Sequence, residues 1–448
     1  MVSSERHVAW GGVSCAPAHV VRPDMTTSGI AGGSYLAYGA GRSYGDTCLP
    51  AGDTLVHTAS LNQIISFDAQ KGILRAGAGL SLRKIIEHIL PHGWFLPVTP
   101  GTAEVTLGGA LANDVHGKNH HVAGTFGRFV RAFELVRSDR APIVCTASAN
   151  SDYFAATIGG MGLTGVATWI EIELVPVRSA NIRQTITRFA DIESYFAVNE
   201  SRTPATYSVA WIDGLAPRNA LGRGILIEGE HADDGDFPVI RKASVDIPFV
   251  APFTLVWRTP LKLMNALYMR QREGESVVDT EKFFYPLDRI GRWSRLYGPR
   301  GFHQFQCVIP EKAAPVTVRQ LLEIAHDDAG GSNLVVLKKF GDFDSPGMLS
   351  FPMAGYTLTM DFPDRGEGTS TLLKKLDAAT LSAGGRINPY KTRAMSTETF
   401  RASFPHWRKL LPFLDPRAES QFSRRVGLYS REEQSSPATI GVATLHIR

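Results

Sequence analysis

The sequence is short of the features that would assign it at a glance. It has four cysteines in 448 residues, Cys15, Cys48, Cys145 and Cys307. They lie far apart, with no C-x-x-C pair and no neighbouring His at zinc spacing, so free thiols are expected and no metal site is. No uninterrupted apolar run approaches the ~20 residues that span a bilayer. Met1 to Gly11 carries Glu5, Arg6 and His7 where a signal peptide would need an apolar core. A reducing, cytoplasmic setting follows as the expectation, with peripheral contact to the inner face of a membrane left open. Charge of one sign is scarce too. The formal net charge is +4 and the basic residues are interspersed with acidic ones, which argues against nucleic acid and leaves an anionic substrate or lipid open.

What is present is an ordinary globular composition without repetitive tracts, in a chain longer than one core usually organises, so two packed domains are expected. The first third is rich in glycine and in short β-type segments, Ser34 to Tyr38, Thr54 to His57 and Ile73 to Ala76. Leu82, Ile85, Ile86 and Ile89 recur at helical spacing and predict a helix over Ser81 to Leu90, stopped by Pro91 and Gly93. A strand follows at Phe129 to Val136, a short helix at Asp152 to Thr157, and a strand at Val166 to Val177. From about 179 to 385 the elements lengthen and glycine thins, with a helix at Val316 to His326. Within that part, Pro248 to Asp279 mixes Phe253, Leu255, Trp257, Leu263, Met264 and Leu267 with Arg258, Lys262, Arg270 and Arg272. It reads either as an amphipathic helix packed on the core or as a lid or membrane-surface segment.

Two glycine runs imitate a nicotinamide-dinucleotide fingerprint and fail on context. Gly39-Ala40-Gly41 is followed by Gly45 but by no amphipathic helix. Gly160-Met161-Gly162-Leu163-Thr164-Gly165 fits the pattern literally, yet it follows a helix and precedes a strand, the reverse of a βαβ unit. Crowded glycines can still bring backbone amides to a diphosphate as an anion nest. Three such runs occur in order: YGAGRSYGDT at Tyr38 to Thr47, PGTAEVTLGGALANDVHGKNHH at Pro100 to His121, and TIGGMGLTGV at Thr157 to Val166. Taken alone, each glycine is a plain turn residue.

On that order and spacing the chain resembles the vanillyl-alcohol-oxidase superfamily with its PCMH-type FAD-binding domain. Within it, RSYGD at Arg42 to Asp46 and VHGKNHH at Val115 to His121 resemble the oxidase branch that serves decaprenylphosphoryl-β-D-ribose 2-epimerase. YPLD at Tyr285 to Asp288, RLYGPRGF at Arg295 to Phe302, QFQCVIP at Gln304 to Pro310, DFP at Asp361 to Pro363 and AGGR at Ala383 to Arg386 extend the likeness over nearly the whole chain. The implied fold is α+β: a two-subdomain FAD-binding domain, first segment 1–178, a substrate domain 179–385 built on an antiparallel sheet with helices, and a segment 386–448 returning to the FAD-binding domain.

The resemblance also implies the site. Arg42 stands where covalent members carry a flavin-bonding His, so noncovalent FAD is expected. Its holders would be Gly39, Ala40, Gly41, Arg42, Ser43, Tyr44, Gly45, Gly101, Thr106, Leu107, Gly108, Gly109, Asn113, His116, Gly117 and Val166. Oxidising a secondary alcohol needs a base for the hydroxyl proton beside the hydride acceptor. Lys391, in NPYKTR, is the implied base if burial or neighbouring cations depress its pKa; an exposed lysine is the bland alternative. His116 and Gln306 complete the catalytic group. Gln304 and Gln306 alternate along a strand and so share a face. Tyr44, Lys118, Tyr297, Gln304, Gln306, Lys338, Thr357 and Thr359 are the implied substrate contacts. Asn388 replaces an expected flavin-contacting Tyr, and Thr357 and Thr359 replace an expected Asn and Cys.

The expected reaction is FAD-dependent oxidation of a polyprenylphosphoryl-β-D-ribose at its 2-hydroxyl to a keto sugar, which a short-chain reductase partner would reduce to the arabinose form. An oxidase or dehydrogenase of free sugars, alditols or aldonolactones is the alternative enzyme, and a flavin-binding protein without turnover is the alternative of another class.

Overall fold

A computed structural model describes residues 6–17, 19–23, 33–52, 54–202, 204–237 and 245–429. Strands β1 (His19–Val21), β2 (Tyr35–Tyr38) and β3 (Thr54–His57) form a parallel sheet in the order β1-β3-β2. Strands β4 (Ile64–Asp68), β5 (Ile73–Gly77), β6 (Val130–Val136), β7 (Ile143–Thr146) and β8 (Val166–Glu173) form an antiparallel sheet in the order β7-β6-β8-β5-β4.

Helix α1 (Leu82–Ile89) starts where Ser81 Oγ accepts from the Lys84 amide, and its four apolar positions are all buried. A single tighter turn, Leu90–His92, continues it and is ended by Gly93 at φ +77, a conformation in which a side chain would be strained. Helices α2 (Leu107–Ala112) and α3 (Ser151–Thr157) follow. Strand β8 buries Val166, Thr168, Ile170 and Ile172 by alternation. It stops at Glu173, short of the expected Val177. The Leu174 amide turns to Gly72 O, and Val175–Pro176 pairs instead with Trp94–Phe95.

The second part is built on eight antiparallel strands: β9 (Asn181–Phe189), β10 (Tyr207–Ile212), β11 (Gly224–His231), β12 (Gly274–Asp279), β13 (Phe302–Ile309), β14 (Val335–Phe340), β15 (Gly355–Pro363) and β16 (Arg386–Ile387). Their order is β12-β9-β11-β10-β14-β15-β13-β16. Helices α4 (Ile192–Glu200), α5 (Arg258–Tyr268), α6 (Ala314–Ala329) and α7 (Glu367–Ser382) accompany them. Phe305, Cys307, Leu337, Leu358 and Met360 share one core with Val318, Leu321, Leu322 and Leu376 of α6 and α7. The alternate residues of the same strands point to the opposite side and are polar: Gln304, Gln306, Lys338, Thr357, Thr359 and Asp361. That inversion, an apolar face under helices and a polar face still buried, positions the site.

Helix α5 corrects the reading of this segment as a helix packed on the core. Asn265 is its one buried residue, whereas Leu263, Met264 and Leu267 are 65%, 56% and 57% exposed. The physical reason is that the inner face is held by polar contact, Asn265 Nδ2 donating to Asp213 Oδ1 at 2.7 Å, which turns the apolar residues outward.

After β16 the chain runs back to the first sheet. The Tyr35 amide donates to Arg417 O, its hydroxyl to Asp415 at 2.8 Å, and Arg425 pairs with Asp46 at 2.7 Å. Residues 430–448 of the expected returning segment lie outside the described residues. All four cysteines are unpaired. Among the described residues no helix is long and apolar enough to cross a membrane.

Candidate active site

The first glycine run follows β2 and forms one wall of a cavity of about 590 Å³. Gly39, Ala40 and Arg42 line it, with Thr106 from the second run opposite and Lys84 of α1 beside them. The close approach of the two runs demands the small residue: a Cβ on Gly39 would lie 2.4 Å from Thr106 Oγ1. Gly41, at φ +62, sits against the Tyr38 hydroxyl and Val8 O. Arg42 stacks on Trp10, 4.2 Å from the ring centroid, and its Nε is buried without a hydrogen-bond partner. A half-buried cavity wall holding a cation with an unmet donor fits a diphosphate, the anionic middle of the expected cofactor.

In the other two runs several amides are already bonded within the protein. Leu107 N donates to Leu80 O at 2.8 Å, Gly108 N to Ala78 O at 2.7 Å, and Gly109 N to Thr106 Oγ1 at 3.1 Å. In the third run, Gly159 N donates to Leu111 O and Met161 N to Ala112 O, closing the end of α2. The expectation that amides from three turns converge on one diphosphate is therefore corrected at Leu107, Gly108, Gly109, Gly159 and Met161, whose N–H groups the protein itself takes up. The first run and Thr106 face the cavity. Asn113 caps α2. Val166 is buried with Tyr35, Val56 and Ala418, Gly117 packs against Thr99 O, and Gly101 is exposed with open space at its Cβ position.

Two residues beyond Arg42 the same run enters a second group. The Tyr44 amide donates to Tyr390 O, and a Cβ on Gly45 would strike Thr392 O at 2.5 Å. Lys391 Nζ lies 4.4 Å from the Tyr44 ring centroid. Lys391 is half-buried, and desolvation pulls its pKa down to about 8 although the Asp361 carboxylate pulls the other way. Asp361 is pushed up to about 7 by burial; its Oδ1 accepts from Gln304 Nε2 at 2.6 Å and its Oδ2 is buried without a partner.

One strand register away, Gln306 is fixed from both ends. Asn388 Nδ2 donates to its Oε1 at 2.8 Å, and its Nε2 faces Thr357 Oγ1 at 3.0 Å and His116 Nε2 at 3.1 Å. Burial, with Lys338 as the next cause, holds His116 well below the usual histidine pKa, so the ring is neutral and carries one N–H. Since Nε2 faces the amide donor, the proton belongs on Nδ1, 3.4 Å from Lys338 Nζ. Lys338 must then accept as a free amine, in keeping with a pKa lowered by burial to about 7.

The implied site residues fall in two places. Gly39, Ala40, Arg42 and Thr106 meet at the cavity; Tyr44, His116, Gln304, Gln306, Lys338, Thr357, Thr359 and Lys391 meet around the polar sheet face. Lys118 stands to one side, donating to Phe283 O and lying 4.3 Å from that ring, with a pKa lowered by burial and Lys338 to about 7. Tyr297 stacks on Phe302 at 4.2 Å, and Phe302 in turn meets Tyr44 edge-on at 5.4 Å. Asp361 was not among the expected site residues. Its signal was in the sequence, for it opens DFP on the same strand and parity as Thr357 and Thr359.

Residues 29–146 match the FAD binding domain family. The chain is 32% identical over 431 residues, 92% of its length and 93% of the relative's, to the decaprenylphosphoryl-β-D-ribose oxidase of Mycolicibacterium smegmatis (strain ATCC 700084 / mc(2)155). It is 30% identical over 371 residues to an uncharacterised protein of Streptomyces coelicolor, covering 78% of this chain and all of that one. A shorter match, 30% over 182 residues, joins it to the human Δ(24)-sterol reductase across 40% of this chain and 34% of that protein. FAD is therefore the cofactor of a site whose cavity presents an unpaired buried guanidinium donor. With a match spanning nearly the whole of both chains, the protein belongs to the decaprenylphosphoryl-β-D-ribose oxidase family of FAD-dependent oxidoreductases.

Proposed function

We propose that this enzyme oxidises the 2-hydroxyl of a polyprenylphosphoryl-β-D-ribose to the 2-keto sugar, with FAD held noncovalently, and that a separate short-chain reductase returns the carbonyl to the arabinose configuration. The observation that carries the reading is the half-buried Lys391 amine, poised near neutrality beside Tyr44 of the cavity-lining run and Asp361. Bound FAD supplies the hydride acceptor. Lys391 Nζ, as the free amine, takes the proton of the sugar hydroxyl, and Asp361 holds the resulting ammonium. Gln304, Gln306 and Thr357 form a floor of fixed amide and hydroxyl groups that orient a polyol, with Thr359 beside them. The half-buried amines of Lys338 and Lys118, with no carboxylate bonded to either among the described residues, suit an anionic group on the substrate. Arg42 in place of a histidine supports the noncovalent attachment.

The same reading divides the chain into a FAD-binding first segment 1–178 whose two sheets are the two subdomains, a substrate domain 179–385, and a segment from 386 that returns through the Tyr35 and Asp46 contacts. The test is anaerobic mixing of the FAD-loaded protein with a polyprenylphosphoryl-ribose, with an alditol and with an aldonolactone. Bleaching of the flavin by the phosphoribose alone, lost in Lys391→Met with FAD retained, is expected. Bleaching by the free polyols instead would assign the alternative substrate class, and unchanged bleaching in Lys391→Met would remove the base from the scheme.

A further inference from the structure

The segment that carries α5 shows its apolar side to solvent. Phe253 and Trp257 stand parallel with centroids 6.3 Å apart, both at least half exposed. Leu263, Met264 and Leu267 continue the surface on one side of α5. These residues are not turned outward for want of an inner face. Asn265 meets Asp213, and the Tyr268 ring lies 4.7 Å from Trp211, so the helix is seated by its other side. A contiguous exposed patch of aromatic and long aliphatic side chains marks an interaction surface.

Charge decides what it meets. Residues 245–272 contain four basic side chains, Arg258, Lys262, Arg270 and Arg272, against one acid, Asp246, which is already paired with Arg292. Exposed apolar side chains in a segment of net positive charge match the boundary between acyl chains and anionic headgroups. The patch also adjoins the site. Trp211 pairs with Val336, two residues from Lys338 and on the same sheet face. The Ala251 and Leu255 amides donate to Arg295 O and Leu296 O in the turn that carries Tyr297.

We propose that this face docks on an anionic lipid bilayer, seating the apolar side chains among the acyl chains and bringing the polar sheet face to the headgroup level. The purpose rests on the lipid-linked substrate proposed above, because a polyprenyl tail stays in the bilayer while its sugar phosphate is oxidised. The contact itself is read without any sugar.

The FAD-loaded full chain is floated with vesicles of phosphatidylcholine alone and of phosphatidylcholine with an equal part of phosphatidylglycerol. Binding to the mixed vesicles is expected, about tenfold stronger than to the neutral ones and weakened by salt. Leu263→Glu/Leu267→Glu, on exposed positions, should lose about tenfold or more of that binding while keeping its bound FAD. No flotation of the wild type with the mixed vesicles, or equal flotation of the variant, overturns the proposal. So does a wild type that self-associates while the variant is monomeric, since the face would then belong to a second copy. Failure of phosphoribose oxidation alone would strike the function and leave this contact standing.

Discussion

Replacing Asp361 by Asn separates the roles of the two partners at the site. Burial lowers the Lys391 pKa to about 8, and the Asp361 carboxylate is what keeps it from falling further. An opposite charge at close range moves a pKa by roughly one to three units. Asp361 itself titrates near 7, so below that it is neutral in the wild type as well and only the upper part of the shift is realised. The expected change is a fall of about one unit, ~1.4 kcal/mol, in the midpoint of the acid limb of kcat/KM. The free-amine fraction at pH 7 then rises from roughly one in eleven to about one half, a gain of about fivefold, while the plateau at high pH falls by up to about tenfold because the carboxylate no longer holds the ammonium formed in the step. The assay is the pH dependence of anaerobic flavin reduction with saturating FAD. A limb that stays in place, or moves to higher pH, refutes the coupling. A loss of about a hundredfold at every pH would make the carboxylate the base and displace Lys391 from that role.

Three further outcomes follow from contacts around the site. Arg83 binds Glu104 at 2.6 Å, Glu281 at 2.6 Å and Asp288 at 3.2 Å with its side chain 10% exposed, tying α1 to the second part of the chain; Arg83→Met removes the cation that three carboxylates share and should cost about 3–5 kcal/mol, read as a lower denaturation midpoint and leakage of FAD. Arg42→Met should weaken FAD binding to the apoprotein by about 10- to 100-fold, the value of one charge-assisted hydrogen bond of ~1.5–3 kcal/mol, with the fold retained by circular dichroism. Lys338 has a folded-state pKa below its ordinary 10.5, so the unfolded chain binds more protons between about 7 and 10.5, and the amine's cost is full below pH 7 and fades as pH rises. Lys338→Met should therefore raise stability by roughly 1–3 kcal/mol at pH 6.5, less at pH 9.5, while lowering activity on a phosphorylated sugar.

The elements that the sequence made legible are those whose pattern is local. Leu82, Ile85, Ile86 and Ile89 repeat at helical spacing because one face of α1 is buried, and Ser81 marks its start because an N-cap hydroxyl has a single use there. The alternation in β8 and the shared face of Gln304 and Gln306 are equally local and equally readable. Helix α5 was not readable to the same degree, for Leu263, Met264 and Leu267 have the same spacing whether they meet a core or a bilayer. Only Asn265, bonded to an aspartate 52 residues away, decides which side faces in. The glycine runs failed in a related way. Their order was correct as a family mark, yet the amides of Leu107, Gly108, Gly159 and Met161 donate to carbonyls on other segments, and no composition reveals whether an N–H is already used.

The catalytic chemistry lies beyond local pattern for a stronger reason. A lysine is a solvated cation by default, and what makes Lys391, Lys338 and Lys118 amines near neutrality is that all three are partly desolvated, with the raised-pKa carboxylate of Asp361 beside Lys391. The three come from a loop after β16, from β14 and from the run before β6, separated by up to 273 residues. Their mutual repulsion is a standing cost to the fold, and nothing in the packing around β13, β14 and β15 requires it, since the apolar face of the same sheet is sealed by α6 and α7. A cost of that kind is kept where a ligand removes it. An anion bound between Lys118 and Lys338 would raise both of their pKa values and stabilise the protein in proportion to its concentration. Hence a rise in thermal stability with a ribose phosphate, larger at pH 6.5 than at pH 9.5 and absent in Lys338→Met, is the equilibrium signature expected of this site, independent of turnover. Equal stabilisation at both pH values would mean that the amines do not meet the anion.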